Sequence, residues 1–279
     1  MMLATKILDM CLRHVMAIVN LTPDSFYSGS RHISYAEACR SVEQAIADGA
    51  TIIDLGGYSS RPGAEDISVD EEWARVRLGL EAVRSAEQGV VVSIDTFRSE
   101  IVRRAYAEFG EFIVNDISAG ELDEDMLKTV AELGLKYVAM HMRGTPKNMQ
   151  SLDDYPEGVV RVVYDYFVRR TEELTQAGIP QENIILDSGF GFAKSVEQNF
   201  ELLAELNTLC ELGYPVLAGL SRKSMIYRPL DITPDEALPG SLALAWEAMR
   251  GGATILRVHD VRATRQVVDL FNLYEHTLR

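Results

Sequence analysis

Short apolar runs punctuate the chain, and each is followed by a stretch in which apolar residues recur at helical spacing. The runs occupy 14–21, 50–57, 90–96, 112–118, 136–143, 184–189, 215–221 and 253–260. They are rich in β-branched and aliphatic residues and scarcely alternate, the signature of parallel strands buried on both faces. Between them, Val196, Phe200, Leu203 and Leu206 fall at helical spacing within 195–213, and Gly213 stands where a glycine stop belongs. Trp73, Val76, Leu80 and Val83 repeat the pattern behind an acidic first turn in 69–83. These stripes are expected to be core.

Eight strand–helix units with no proline- or serine-rich linker predict an α/β fold. Specifically, they predict one (β/α)8 TIM barrel domain spanning 1–279. The rival is a doubly wound open sheet with an added lobe. That fold usually carries a glycine-rich phosphate loop after its first strand, whereas residues 20–25 read NLTPDS. A chain of 279 residues, 47% of them hydrophobic, suits one large barrel and needs no staples.

The formal charge of −15 disfavours a broad face for nucleic acid or anionic membrane. Small-molecule partners fit better. The cysteines, Cys11, Cys39 and Cys210, are odd in number and scattered, so neither a disulfide framework nor a CxxC pair is present. That favours a reducing compartment. No apolar run reaches membrane-span length, and the first residues lack the features of a signal peptide. A cytoplasmic location is the expectation.

Chemistry concentrates where the apolar runs end. There stand Asn20, Asp54, Asp95, Asn115, His141 with Arg143, Asp187, Ser221 with Arg222 and Lys223, and Arg257 with His259. One such residue would merely cap the next helix. Polar residues on every strand point to a site, because closing a barrel gathers these ends into one mouth. Asp54, Asp95, Asp187 and Asn115 suit a donor-rich ring, whereas Arg61, Lys223, Arg257 and His259 suit an anion. No Ser-His-Asp order, HExxH or Cys/His cluster supports a covalent nucleophile or zinc. Segments at about 22–33 and 58–68 have the length and glycine/proline content of mobile loops over a site, and carry Asp24, Ser25, Arg61 and Pro62.

Taken together, the strand-end motifs resemble the dihydropteroate synthase family of pterin-binding enzymes. They read IVNLTPDSF (18–26), IIDLGGYSSRPGA (52–64), SIDTFRSE (93–100) and IVNDISAG (113–120). MHMRGTP (140–146), ILDSGFGFAK (185–194), GLSRKS (219–224) and ILRVHD (255–260) complete the set. The resemblance runs from His14 to about Asp260, and eight motifs in order at barrel-strand spacing are highly specific. It implies condensation of 6-hydroxymethyl-7,8-dihydropterin pyrophosphate with p-aminobenzoate to 7,8-dihydropteroate and pyrophosphate. Such chemistry needs positioning and charge stabilisation rather than a protein nucleophile.

The same resemblance implies that Asp95, Asn115, Asp187 and Lys223 hold the pterin. Asn20, Ser60, Arg257 and His259 would hold the pyrophosphate, with Asn20 also helping to hold Mg²⁺. Arg61, Pro62, Phe190 and Ser221 would form the p-aminobenzoate pocket, where sulfonamides compete in the family. Asp95, Lys223, Arg257 and His259 would carry catalysis. Asp54 is left open between pterin contact and a supporting role. His141 and Arg143 are expected to shape the pocket floor, Lys194 to be a solvated residue opening the sixth helix, and Arg222 to lie on the rim.

Three positions depart from the family pattern: Ser188 for the usual proline, Ala193 for glycine and Ser60 for threonine. A pterin-binding methyltetrahydrofolate methyltransferase and a non-catalytic pterin-binding homologue are the alternatives. Neither needs the combination of Arg61, Lys223, Arg257 and His259. The resemblance also implies a homodimer. Val267, Val268, Leu270, Phe271 and Tyr274 suit either barrel packing or an interface.

Overall fold

Eight parallel strands close on themselves in chain order, β1 (His14–Asn20), β2 (Ile52–Gly56), β3 (Val91–Asp95), β4 (Ile113–Asp116), β5 (Lys136–Met140), β6 (Ile184–Asp187), β7 (Val216–Ala218) and β8 (Ile255–Val258). The last pairs with the first, His14 opposite Ile255. The barrel prediction holds, and every strand lies inside its predicted apolar run. This computed structural model describes residues 12–22, 34–59, 66–86, 89–145 and 148–277. Asp24, Ser25, Ser60, Arg61 and Pro62, and with them most of the two predicted loops, lie outside the described residues.

Helices α1 (Tyr35–Ala47), α2 (Val69–Ser85), α3 (Ser99–Phe109), α4 (Met126–Leu133) and α5 (Val159–Gln176) make the first five return connections. The sixth divides into α6 (Val196–Ala204) and α7 (Asn207–Cys210), and the seventh into α8 (Ser224–Leu230) and α9 (Leu238–Arg250). α10 (Val261–Thr277) closes the ring. Their starts follow the sequence: Ser34 and Ser195 form capping boxes with Glu37 and Gln198, and the Ser68 hydroxyl accepts from the Glu71 N–H.

The stripe in 69–83 packs as predicted, with Val76, Leu80 and Val83 buried and Trp73 half-buried. In 195–213 the prediction needs correcting. Phe200 is 41% exposed and Asn199 takes the buried position beside it. The reason is polar: the Asn199 amide accepts from the Gly191 N–H and donates to the Lys194 and Ser195 carbonyls. The break after α6 lets Leu203, Leu206 and Leu209 all turn inward. Gly213 ends the segment in the left-handed region, φ 80°.

Strand alternation sorts the core into two layers. Ala17, Ile53, Val92, Val114, Ala139, Leu186, Ala218 and Leu256 face the helices. Their neighbours Met16, Ile52, Val91, Ile113, Val138, Ile185, Leu217 and Ile255, one from each strand, fill the barrel interior as an apolar plug. Burying each such side chain contributes roughly 1.5–3 kcal/mol. A plug this apolar closes the barrel below, and places the next inward positions at its open end.

Candidate functional site

Two residues beyond the plug, alternation brings the same face inward again. These positions are Ile18, Asp54, Ser93, Asn115, Met140, Asp187, Gly219 and Arg257. Two residues further along β1, β2 and β3 come Asn20, Gly56 and Asp95. The convergence inferred from strand ends is therefore a consequence of register. Ser93 and Met140 open two of the motifs but were not among the candidate site residues, although counting in twos from each buried strand centre would have found both. A side chain at Gly56 would approach Asn20 Oδ1 to 3.4 Å and Asp95 Oδ2 to 3.9 Å, and the glycine keeps that part of the mouth open.

Arg257 organises the charge. Its Nε donates to Asp54 Oδ2 at 2.6 Å and its Nη2 to Asp95 Oδ2 at 2.7 Å. Asp54 is fully enclosed: Oδ1 accepts from Ser93 Oγ at 2.6 Å, and Asn115 Nδ2 lies 3.3 and 3.2 Å from its two oxygens. Asp54 is thus a supporting carboxylate whose oxygens are already taken. Burial raises the Asp95 carboxyl from 3.8 to about 7, with Arg257 opposing the rise and Asp54 adding to it. Burial acts against the charged form of Arg257, but Asp54 and Asp95 together hold it above its ordinary range. Two of the five guanidinium N–H groups make these contacts, which leaves three beyond the two carboxylates.

Across the mouth, Asp187 is 6% exposed and Oδ1 accepts from the Gly189 N–H at 2.8 Å. Burial pushes its pKa up and the nearby Lys223 pulls it down. Lys223 shifts the opposite way, from 10.5 to about 8, because burial outweighs the attraction of Asp187. Its ammonium donates to the Phe190 carbonyl and lies 4.9 Å from the centre of the Phe192 ring.

Here one assignment is corrected. The Phe190 side chain is fully buried among the residues between barrel and helices, so it cannot be an aromatic wall of the pocket. Phe192 is the half-buried ring on the mouth side, beneath the Lys223 ammonium and packed against the cluster that holds Met140 and Met142. In the turn 189–193 the two rings face opposite ways, a distinction that spacing alone does not reveal.

Ser221 and His259 stand together, Ser221 Oγ 3.1 Å from His259 Nδ1 and accepting from the His259 N–H at 3.2 Å. Arg222 instead faces outward. It makes a two-pronged pair with Asp260, both contacts 2.8 Å, and donates to the Pro234 and Asp235 carbonyls at 3.0 and 3.1 Å. That brace sets the end of β7 against β8 and the turn before α9, so its place is the support rather than the rim. His141 and Arg143 also lie outside the mouth. His141 is 2% exposed with Tyr166 edge-on at 4.9 Å, and Arg143 stacks on Tyr155 at 4.0 Å.

Lys194 overturns its expectation as a solvated residue, being only 7% exposed. Its ammonium contacts Gly189 O and Phe192 O at 3.0 Å each, and His141 Nδ1 at 3.1 Å. Burial lowers its pKa from 10.5 to about 7, opposed by Asp187, and pushes His141 well below its usual range. Ala193 beside it is left-handed, φ 49°, a conformation that explains glycine as the family's usual residue.

For a metal, no cluster of three or more His, Cys, Asp or Glu occurs among the described residues. Asn20 Oδ1 at the mouth is a hard oxygen donor, on the same side as Asp95. Such a donor fits an ion that arrives with a phosphate-bearing substrate, as Mg²⁺ commonly does, better than a resident one.

A closed barrel with a carboxylate–amide floor and a cationic mouth is the arrangement of an enzyme that holds a donor-rich heterocycle beside an anion. The pterin binding enzyme family matches the chain over residues 16–259, and the chain belongs to it. Its place within that family is with the dihydropteroate synthases. It is 44% identical over 266 residues to the dihydropteroate synthase of Haemophilus influenzae, covering 95% of each. Among solved structures it is similar to Yersinia pestis dihydropteroate synthase, determined with a sulfonamide drug, at TM-score 0.89, 36% identity and 96% coverage of each. The Xanthomonas albilineans dihydropteroate synthase with 4-aminobenzoic acid aligns at TM-score 0.88 and 38% identity, over 96% of this chain and 95% of that one.

Proposed function

We propose that the enzyme joins 6-hydroxymethyl-7,8-dihydropterin pyrophosphate to p-aminobenzoate, releasing pyrophosphate and 7,8-dihydropteroate. The observation that carries this reading is the pairing of two half-sites in one mouth. Buried Asn115 donates to Asp54, which with Asp95 braces the Arg257 guanidinium, and the charge of Arg257 also reaches buried Asp187. In the reaction the pterin methylene–oxygen bond breaks with its electron pair leaving on pyrophosphate. The arylamine nitrogen forms the new bond and then loses a proton. Both reactants are competent already, so position and charge do the catalysis.

Asp187 accepts hydrogen bonds from the 2-amino and ring N–H groups, Asn115 adds its amide, and Lys223 donates to the ring edge. Asp95 places negative charge beside the methylene as it becomes cationic. The remaining Arg257 N–H groups, with His259, Asn20 and Ser60, hold the pyrophosphate, and Asn20 would also help to hold Mg²⁺. That ion, when bound, offsets the charge of the leaving group. Ser221, the Phe192 ring, Arg61 and Pro62 enclose the arylamine, the pocket where a sulfonamide would compete.

On α10, Val268 and Phe271 pack inward, whereas Leu270, Leu273 and Tyr274 are 60%, 64% and 48% exposed. An apolar face of this kind supports a homodimer, checked by light scattering at micromolar concentration, where a monomer mass would rule it out. No described helix is long and apolar enough to cross a membrane, and a cytoplasmic location fits the free, half-buried Cys39 and Cys210.

The deciding assay follows pyrophosphate release from the pterin pyrophosphate with Mg²⁺, with and without p-aminobenzoate. Release that requires the arylamine, and that a sulfonamide blocks, supports the reading. Protein that binds the pterin but releases nothing would overturn it in favour of a methyltransferase or a non-catalytic pterin binder.

A further inference from the structure

The geometry points to Lys194 as a positioning residue that fixes the Phe192 wall of the arylamine pocket while itself lying behind the mouth. The inference rests on the functional reading above. An ammonium has three N–H bonds, and Lys194 has three good acceptors at 3.0–3.1 Å, with the His141 carbonyl marginal at 3.5 Å. Two of the acceptors, Gly189 O and Phe192 O, belong to the turn between Asp187 and Lys194 itself. The third, His141 Nδ1, belongs to the segment after β5. The turn is therefore wrapped around its own cation and tied through it to a neighbouring strand end.

Both anchors of that tie are rigid. The His141 N–H donates to the Asp187 carbonyl at 3.0 Å, and Tyr166 packs edge-on against the imidazole. Asn199 holds the far side of the turn through the Gly191 N–H at 2.6 Å. Between these fixed points the Phe192 carbonyl has a single direction in which to face Lys194. Its side chain is thereby turned to the mouth, where it packs beside Met140 and beneath the Lys223 ammonium. The turn also presents the Phe190 carbonyl to Lys223. Take away the Lys194 ammonium and the buried Phe192 carbonyl and His141 Nδ1 lose their donor together, while the Gly189 carbonyl keeps only the Phe192 N–H, so the turn re-forms and the ring moves. The pterin floor stands on strands β6 and β4, where Asp187 and Asn115 are held by strand pairing, and the turn touches it only through the Gly189 N–H on Asp187 and the Phe190 carbonyl on Lys223, so it shifts less than the ring does.

A double-mutant cycle tests this, using Lys194→Met, Phe192→Leu and the double variant. Wild type is assayed first for p-aminobenzoate-dependent pyrophosphate release. Without it the functional reading fails and the inference falls with it. Given release, each single variant should raise the KM for p-aminobenzoate about tenfold, with the KM for the pterin pyrophosphate changed less than about threefold. The double variant should be no worse than Phe192→Leu alone, since both act through the same ring. Additive losses of about a hundredfold, or equal changes in the two KM values, would make Lys194 a mere structural residue and overturn the inference. Thermal unfolding accompanies each assay. Should Lys194→Met not fold, Lys194→Gln, which keeps a donor for one carbonyl, is read by the same criteria.

Discussion

Arg257 offers the sharpest test of how the charge network is balanced. Replacing it by Leu leaves Asp54, which is completely enclosed, and Asp95, whose side chain is 21% exposed, without their shared cation. Removing one partner of a buried pair costs about 3–5 kcal/mol. For 279 residues the unfolding entropy near Tm is ~0.6 kcal/mol/K, so the midpoint should fall by about 5–9 °C at pH 7.5. The pH dependence follows from the direction of the Asp95 shift. Its folded-state carboxyl, at about 7, lies above the ordinary 3.8, so the folded protein binds the proton more tightly than the unfolded chain. Stability from this group is therefore present at low pH and lost as pH rises from about 4 to 7. Without Arg257 the carboxyl rises further and the loss extends above pH 7. The gap between variant and wild type should be widest at pH 8 and narrow towards pH 5. Adding Asp54→Asn should restore about 3 °C, because it removes the orphaned charge. Calorimetry across pH 5–8 decides the matter. A variant within 2 °C of wild type throughout, or a gap that widens on acidification, would refute the account.

Other perturbations address the chemistry and the backbone. Asp95→Asn keeps shape but removes charge beside the developing cation, so turnover should fall roughly 100-fold while pterin affinity changes only a few-fold. Titration calorimetry and initial rates would show whether the losses are instead equal. Asp95 is ionised above about 7 and Lys223 is protonated below about 8. The kcat/KM for the pterin pyrophosphate should accordingly peak between these values and decline on either side, and a flat profile from pH 6 to 9 would contradict their joint use. At Gly189, φ 67°, an added Cβ would lie 2.0 Å from the His141 carbonyl, whereas at Gly134, φ 66°, nothing lies within 4 Å. Urea unfolding should therefore show Gly134→Ala costing only the left-handed penalty of about 1–2 kcal/mol, and Gly189→Ala costing several times more.

The barrel was legible because parallel strands buried on both faces announce themselves as unbroken apolar runs, and all eight lie where those runs fall. So were the polar strand ends, since register leaves them nowhere to go but the mouth. Orientation within turns was not legible. Phe190 and Phe192 are chemically alike and two apart, and which one turns to the mouth is set by the turn itself, left-handed at Gly191 and Ala193 (φ 78° and 49°) and tied to Lys194. Lys194 misled for a related reason, and so did Phe200, whose inward place Asn199 takes. The polarity of Lys194 predicts solvent, but the irregular turn that Lys194 and Asn199 serve has buried carbonyls and N–H groups that need both side chains. Arg222 shows the converse, since a cation beside a site need not point into it when Asp260 lies on the outer side.

The apolar plug has a consequence for traffic. With eight aliphatic and sulfur-bearing side chains sealing the floor, the site is, among the described residues, a cul-de-sac entered from the strand C-terminal side. Asp187 and Asn115 sit one step above that floor, whereas Ser221 lies a further step outward. Whatever rests on the floor must therefore arrive before the doorway is occupied, and a molecule spanning both levels must back out past Ser221. Queueing of this kind needs no moving part, because it is imposed by which way eight side chains point.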